Sequence, residues 1–131
     1  MSTQDFKGTV NGITPVGEAA NTWTPSDGSG ASLAITVVAA TYKKIGSIVF
    51  IVCRVTYPVT ADASPAVLTG LPFTSALFST MPINSDSAVA DLIARTGTSN
   101  TSIDILTSGN TQVTNAQLSG KLLIFSGCYH V

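Results

Sequence analysis

Side-chain catalysis needs groups that move protons, attack carbonyls or hold metals, and here such groups are few and scattered. His130 is the single histidine, so a Ser-His-Asp or Cys-His arrangement would have to recruit it from a terminal strand. The seven acidic residues stand singly, without Asp-x-Asp spacing or a close pair. No calcium loop is written locally, and a glycosidase dyad could only be assembled in space. Cys53, Cys128 and His130 could supply three metal ligands, but structural zinc asks for two closely spaced pairs and only Cys128-x-His130 is one. One ligand per chain gathered on a threefold axis is the remaining alternative. Ser26-Asp27-Gly28-Ser29-Gly30 lacks the lysine and following helix of a phosphate-cradling loop and reads as a turn. The expectation is a protein without catalytic activity, cofactor or metal. An enzyme built across a subunit seam would have to draw on Arg54, Arg95, Asp62, Asp91 and His130. The two cysteines, in apolar settings, are expected to be buried thiols acting as small hydrophobes.

The composition turns attention from chemistry to surface. At 131 residues the chain is one domain with a single core. Only 10% of residues are charged against 44% hydrophobic, and the mean hydropathy is +0.38. A domain of this size keeps roughly a third of its unfolded-chain surface in contact with water. Some of that surface is therefore expected to face another chain. The net charge of -1 gives no basic field for nucleic acid or an anionic membrane, and Lys43-Lys44 is the one basic pair. The longest apolar run, Ile48 to Cys53, is far short of the roughly 20 residues a bilayer span needs. Met1-Ser2-Thr3-Gln4-Asp5 lacks a charged-then-apolar signal, so the chain is expected to stay in the cytoplasm that makes it.

The elements that must carry any surface are strands. Ile48 to Cys53 is apolar and β-branched, then breaks into alternation at Val55 and Tyr57, which suits a strand buried on both faces at one end. After it, Leu68-Thr69-Gly70-Leu71-Pro72-Phe73 is a sharp stop, because Gly70 permits a positive φ and Pro72 cannot donate to a ladder. Leu33 to Thr41 reads as a strand joined through Tyr42-Lys43-Lys44-Ile45-Gly46-Ser47 to the long one as a hairpin. Thr74 to Pro82 fits a short strand or an irregular crossover. Ala88 to Arg95 and Ser102 to Thr107 follow as strands, with turns at Gly97-Thr98-Ser99-Asn100 and Ser108-Gly109-Asn110. Lys121 to Val131 is the last strand, where Gly127 suggests a bulge or a close backbone approach. Residues 1 to 22 read as an irregular arm with one short strand at Thr9 to Ile13, and 23 to 131 as the folded domain. Trp23 is expected to plug an edge of the core. The fold class is all-β: a jelly-roll-like β-sandwich of about eight strands.

Several landmarks resemble one family. Trp23-Thr24-Pro25, Tyr42-Lys43-Lys44-Ile45-Gly46-Ser47 leading into Val49-Phe50, Gly70-Leu71-Pro72-Phe73, and Phe125-Ser126-Gly127-Cys128-Tyr129 are similar, in this order, to small trimeric β-sandwich modules of bacteriophage virions. These are the knobs ending tail fibres and tail spikes, and capsid decoration proteins. The resemblance implies a homotrimer and a structural role in the virion, assembled in the host cytoplasm. It marks Trp23, Pro25, Tyr42, Gly46, Gly70, Leu71, Pro72, Phe73, Gly127 and Tyr129 as structural or interface residues. The short arm before Trp23, without a shaft repeat, favours a decoration, or cement, protein whose partners are its own copies and the major capsid protein or other virion proteins. The alternative is a receptor-binding knob that meets a host-surface glycan through Gly97 to Asn100 and Ser108 to Gln112, loops that hold no aromatic residue for a sugar to stack on.

Overall fold

The computed structural model describes residues 20–131, so the strand expected at Thr9 to Ile13 lies outside the described residues. Nine antiparallel strands follow one another: β1 (Asn21–Thr22), β2 (Ser26–Asp27), β3 (Thr36–Ile45), β4 (Ile48–Thr56), β5 (Val67–Thr69), β6 (Ser79–Ser85), β7 (Leu92–Thr96), β8 (Ser102–Thr107) and β9 (Leu122–His130). A 3₁₀ turn at Asn115–Leu118 precedes the last. The spatial order is β1-β3-β4-β9-β6-β7-β8-β5-β2. The sheet curls over itself because β6 serves two neighbours. Ser79 to Pro82 pair with β7, whereas Ile83 to Ser85 pair with β9. Pro82, which has no N–H to give, sits at the switch. The all-β, sandwich-like class expected from the sequence is the one observed.

The core lies between the two halves of the curl. From one side come Val49, Ile51, Cys53 and Val55 of β4 with Leu123, Phe125 and Tyr129 of β9. Leu68, Ala94, Ile103 and Ile105 come from the other. Strand β4 alternates buried and open along its whole length, which corrects the expectation of two-sided burial at Ile48 to Cys53. Val49, Ile51 and Cys53 are buried while Phe50 and Val52 remain 47% and 45% exposed. A strand with one face on the core must send every second side chain outward, whatever its polarity.

Strand β3 runs further than expected, taking in Tyr42, Lys43 and Lys44, so the hairpin turn shrinks to Gly46-Ser47. Gly46 adopts φ +59 at the first central position of that two-residue turn, where glycine suits the twist of the flanking strands. A bulge between Val37 and Ala39 breaks the β3–β4 register and leaves Val38 52% exposed. The segment 74–82 combines both expected forms, irregular through Phe78 and then strand. Ala88 to Arg95, expected as one strand, is extended only from Leu92, after bends. The 3₁₀ turn at Asn115–Leu118 was not anticipated, although Thr114 and Gln117 form a reciprocal capping box around it, a pattern legible in sequence.

Candidate functional site

Most of the residues marked by family likeness converge on a brace inside the fold, whereas Gly46 lies apart at the β3–β4 turn and Gly127 packs against Met81. The Trp23 indole Nε1 donates to the carbonyls of Thr41 at 3.1 Å and Val52 at 3.3 Å, so the ring plugs the core edge and ties β3 to β4. Gly70 stands at φ +100, and a Cβ there would run into the carbonyl oxygen of Thr24 and lie 3.7 Å from the Cα of Pro25. Leu71 is buried, and its N–H donates to the Thr101 carbonyl at 3.1 Å. The Tyr129 hydroxyl accepts from the Phe73 N–H at 3.2 Å and donates to the Phe73 carbonyl at 3.0 Å. That one hydroxyl satisfies both backbone groups after Pro72 and fixes the corner onto β9. Burial pushes the Tyr129 phenol up; the Phe73 hydrogen bond opposes this, and nearby Tyr42 adds to the rise. The Phe73 ring meets Tyr42 edge-on at 5.6 Å and carries the Lys44 ammonium 4.9 Å from its centroid.

Gly127 faces inward, where a Cβ would collide with the Met81 side chain, and the β4–β9 register passes through it unbroken. It marks a close approach, not a bulge.

The surface offered to other molecules is made by residues that read as core. On the outer face of β3-β4-β9 the register sets side chains in rungs: Ile45–Ile48–His130, Lys43–Phe50–Cys128, Thr41–Val52–Ser126 and Ala39–Arg54–Ile124. Thr22 extends the third rung and Asn84 the fourth. Phe50 and Val52 fill the middle. These rungs hold cationic side chains at Lys43 and Arg54 and no carboxylate. Asp86 stands at the edge, accepting from the Leu122 N–H at 3.1 Å. A shallow hollow lined by Pro82, Asn84, Ile124 and Ser126 flanks the patch. Contiguous apolar surface rimmed by polar groups is the usual signature of a contact site.

The expectation of two buried thiols holds for one. Cys53 faces the core, where burial pushes its thiol up to about 12. Cys128 is exposed because it shares the outward rung of Phe50. The two point to opposite faces of neighbouring strands, and both are free. Cys128 and His130 share a face that Cys53 does not, so the three do not converge as metal ligands.

The residues a seam enzyme would need are likewise dispersed. Arg54 and His130 lie on the outer face described above. Arg95 is bound across the strand to Asp104, Nη2 to Oδ2 at 3.1 Å, and through Nη1 to Asn110 Oδ1 at 2.8 Å. Asp91, at φ 56, leads into β7. Asp62 accepts from the Asn115 amide at 2.7 Å and from the Ser64 N–H at 3.1 Å. The Asn115 bond is the largest influence, and with the smaller Ser64 bonds it outweighs desolvation and holds the carboxyl below the usual range. Asp27 feels burial, which pushes it up, but hydrogen bonds from Leu33 and Ser29 outweigh that and leave it lowered. Both carboxylates lock loops, since Asn115 also donates to Ser29 at 2.9 Å.

No family model, curated protein or solved structure matches the chain.

Proposed function

We propose that the chain is a non-enzymatic structural protein that works as a homotrimer, with the outer face of β3-β4-β9 as its self-contact. The observation that carries this reading is Phe50 and Val52, each nearly half exposed at the centre of a sheet face. Burying such side chains contributes roughly 25 cal/mol per Å² of apolar surface removed from water. The charge pattern favours a ring over a twofold pair. Twofold symmetry would lay this face on its own copy, Arg54 on both sides included, with no carboxylate among the described residues of its rungs to answer it. A cyclic trimer docks one surface against a different surface of the next copy, so the partner patch can carry the acids.

The family likeness gives the specific form: a bacteriophage virion protein that decorates the capsid and stabilises the head, assembled in the host cytoplasm. A trimer matches the threefold and quasi-threefold points of an icosahedral shell, and bridging neighbouring capsid proteins there would oppose internal pressure. Heating purified heads with and without the protein, and following DNA release, tests this. Decorated heads should release DNA at a higher temperature; identical release curves would count against the head role.

A further inference from the structure

The sequence writes no calcium loop in any one stretch, yet the fold brings oxygen donors from three separate stretches together. Asp27-Gly28-Ser29 leaves β2, Asp62-Ala63-Ser64 lies in the loop between β4 and β5, and Asn115 opens the 3₁₀ turn. Backbone bonds sew the last two together: the Asn115 N–H donates to the Ser64 carbonyl at 3.0 Å and the Ala116 N–H to the Asp62 carbonyl at 2.8 Å. The Asn115 amide then reaches both loops, giving its hydrogens to Asp62 Oδ2 at 2.7 Å and Ser29 Oγ at 2.9 Å. The Ser29 N–H in turn donates to Asp27 Oδ1 at 3.0 Å. Two carboxylates thus stand on either side of one amide, and among the described residues neither has an ion-pair partner. Burial and, more weakly, the charge of Asp62 both work against the ionised form of Asp27.

Two buried groups with nothing to bond set this cluster apart from an ordinary pair of loop-locking acids. Asn115 is 0% exposed and Tyr57, which follows β4, is 1% exposed. Asn115 Oδ1 and the Tyr57 hydroxyl nevertheless have no hydrogen-bond partner among the described residues, a costly state for a polar atom shut away from water. Both face the carboxylates. The two hydrogens of an amide nitrogen diverge within the amide plane and one lies on the side of the oxygen, so Asn115 Oδ1 opens toward one of the two loops its nitrogen already holds. Burial pushes the Tyr57 phenol up and the Asp27 charge adds to the rise, which sets that hydroxyl in the field of the Asp27 carboxylate.

We propose that Asp27, Ser29, Tyr57, Asp62 and Asn115 form a calcium-binding site. Every donor is an oxygen, the choice of a hard cation and not of zinc or copper. Two carboxylates balance the double charge, and the bare Asn115 oxygen and Tyr57 hydroxyl gain a partner. Donors spread over three segments suit the about six to eight loosely arranged oxygens of calcium better than the strict octahedron of magnesium. A buried water alone would serve Asn115 and Tyr57 but would leave the two carboxylates uncompensated. Asp27 and Asp62 are each half-buried, so an ion has a way in. Once bound it would clamp β2 and the β4–β5 loop onto the 3₁₀ turn. The site shares no residue with the outer face of β3-β4-β9, so it stands independently of the trimer.

The test is thermal unfolding of the full chain by circular dichroism, first in chelator and then with roughly 10 mM calcium chloride, above the weak end of protein calcium sites. Calcium should raise the midpoint by about 5 °C or more, and magnesium by clearly less. Terbium, a luminescent stand-in for calcium, should emit on tyrosine excitation because Tyr57 belongs to the site, and calcium should displace it. Asp27→Asn and Asp62→Asn each keep an oxygen acceptor in place, and each should remove both the rise and the emission. No rise with calcium overturns the proposal and leaves the two bare groups to a buried water. An equal rise with magnesium overturns it too, as does a rise that survives in both Asn variants. Should those variants not fold, Ser29→Ala, which keeps both carboxylates, must weaken calcium binding roughly tenfold; unchanged affinity overturns the proposal equally.

Discussion

At Gly70 one hydrogen stands where any other residue would place a carbon. The position combines φ +100 with the carbonyl of Thr24 pressed against it, so a side chain there is strained twice. Gly70→Val should cost about 1 to 3 kcal/mol for the backbone alone. Thermal unfolding by circular dichroism should show a midpoint lowered by roughly 5 to 10 °C, and an unchanged midpoint would mean the corner tolerates a Cβ. The loop carboxylates give a second residue-level expectation. Asp27 and Asp62 are both lowered from 3.8 in the fold. A carboxyl with a lowered folded pKa adds stability that is complete above its unfolded value and fades as pH falls through the folded one. Urea midpoints should therefore hold near neutrality and drop once pH passes below about 4, the ordinary carboxylate range. Asp62→Asn should flatten that drop; an acid profile equal to wild type would remove Asp62 from the account.

Strand β4 shows how much could be read in advance and where reading stopped. Its existence, its direct hairpin with β3 and the stop at Gly70-Leu71-Pro72-Phe73 were legible because β-branched runs and turn residues act locally. Its outer face was not. A run of six apolar residues signals burial of both faces, and only the layer order shows that nothing among the described residues covers Phe50 and Val52. The same gap misplaced Cys128, which inherits exposure from its rung partner. The brace residues were recognisable by type, but the double hydrogen bond from Tyr129 to Phe73 spans 56 positions, a separation no local pattern reports. Thiol labelling tests this assignment of faces. In the folded single chain, obtained by dilution or with Val52→Glu, Cys128 should react with a maleimide while Cys53, held protonated by burial, reacts only after denaturation. Equal reactivity of the two in that folded single chain would contradict the assignment.

At the scale of the molecule, an apolar outer face and very low charge are what the proposed trimer would require of each copy. The covering copy would bury Phe50, Val52 and Cys128 together, so maleimide labelling of Cys128 should accelerate on dilution as a ring opens. Outward positions can be changed without touching the core, which separates assembly from folding: Val52→Glu should fold as wild type and fail to associate. The most direct measurement is the mass of the free protein by sedimentation equilibrium. The account predicts three times the 13.4 kDa of the chain for wild type and a single chain for Val52→Glu. A wild-type protein that sediments as one chain at high concentration, or a Val52→Glu variant that keeps the wild-type mass, would contradict it.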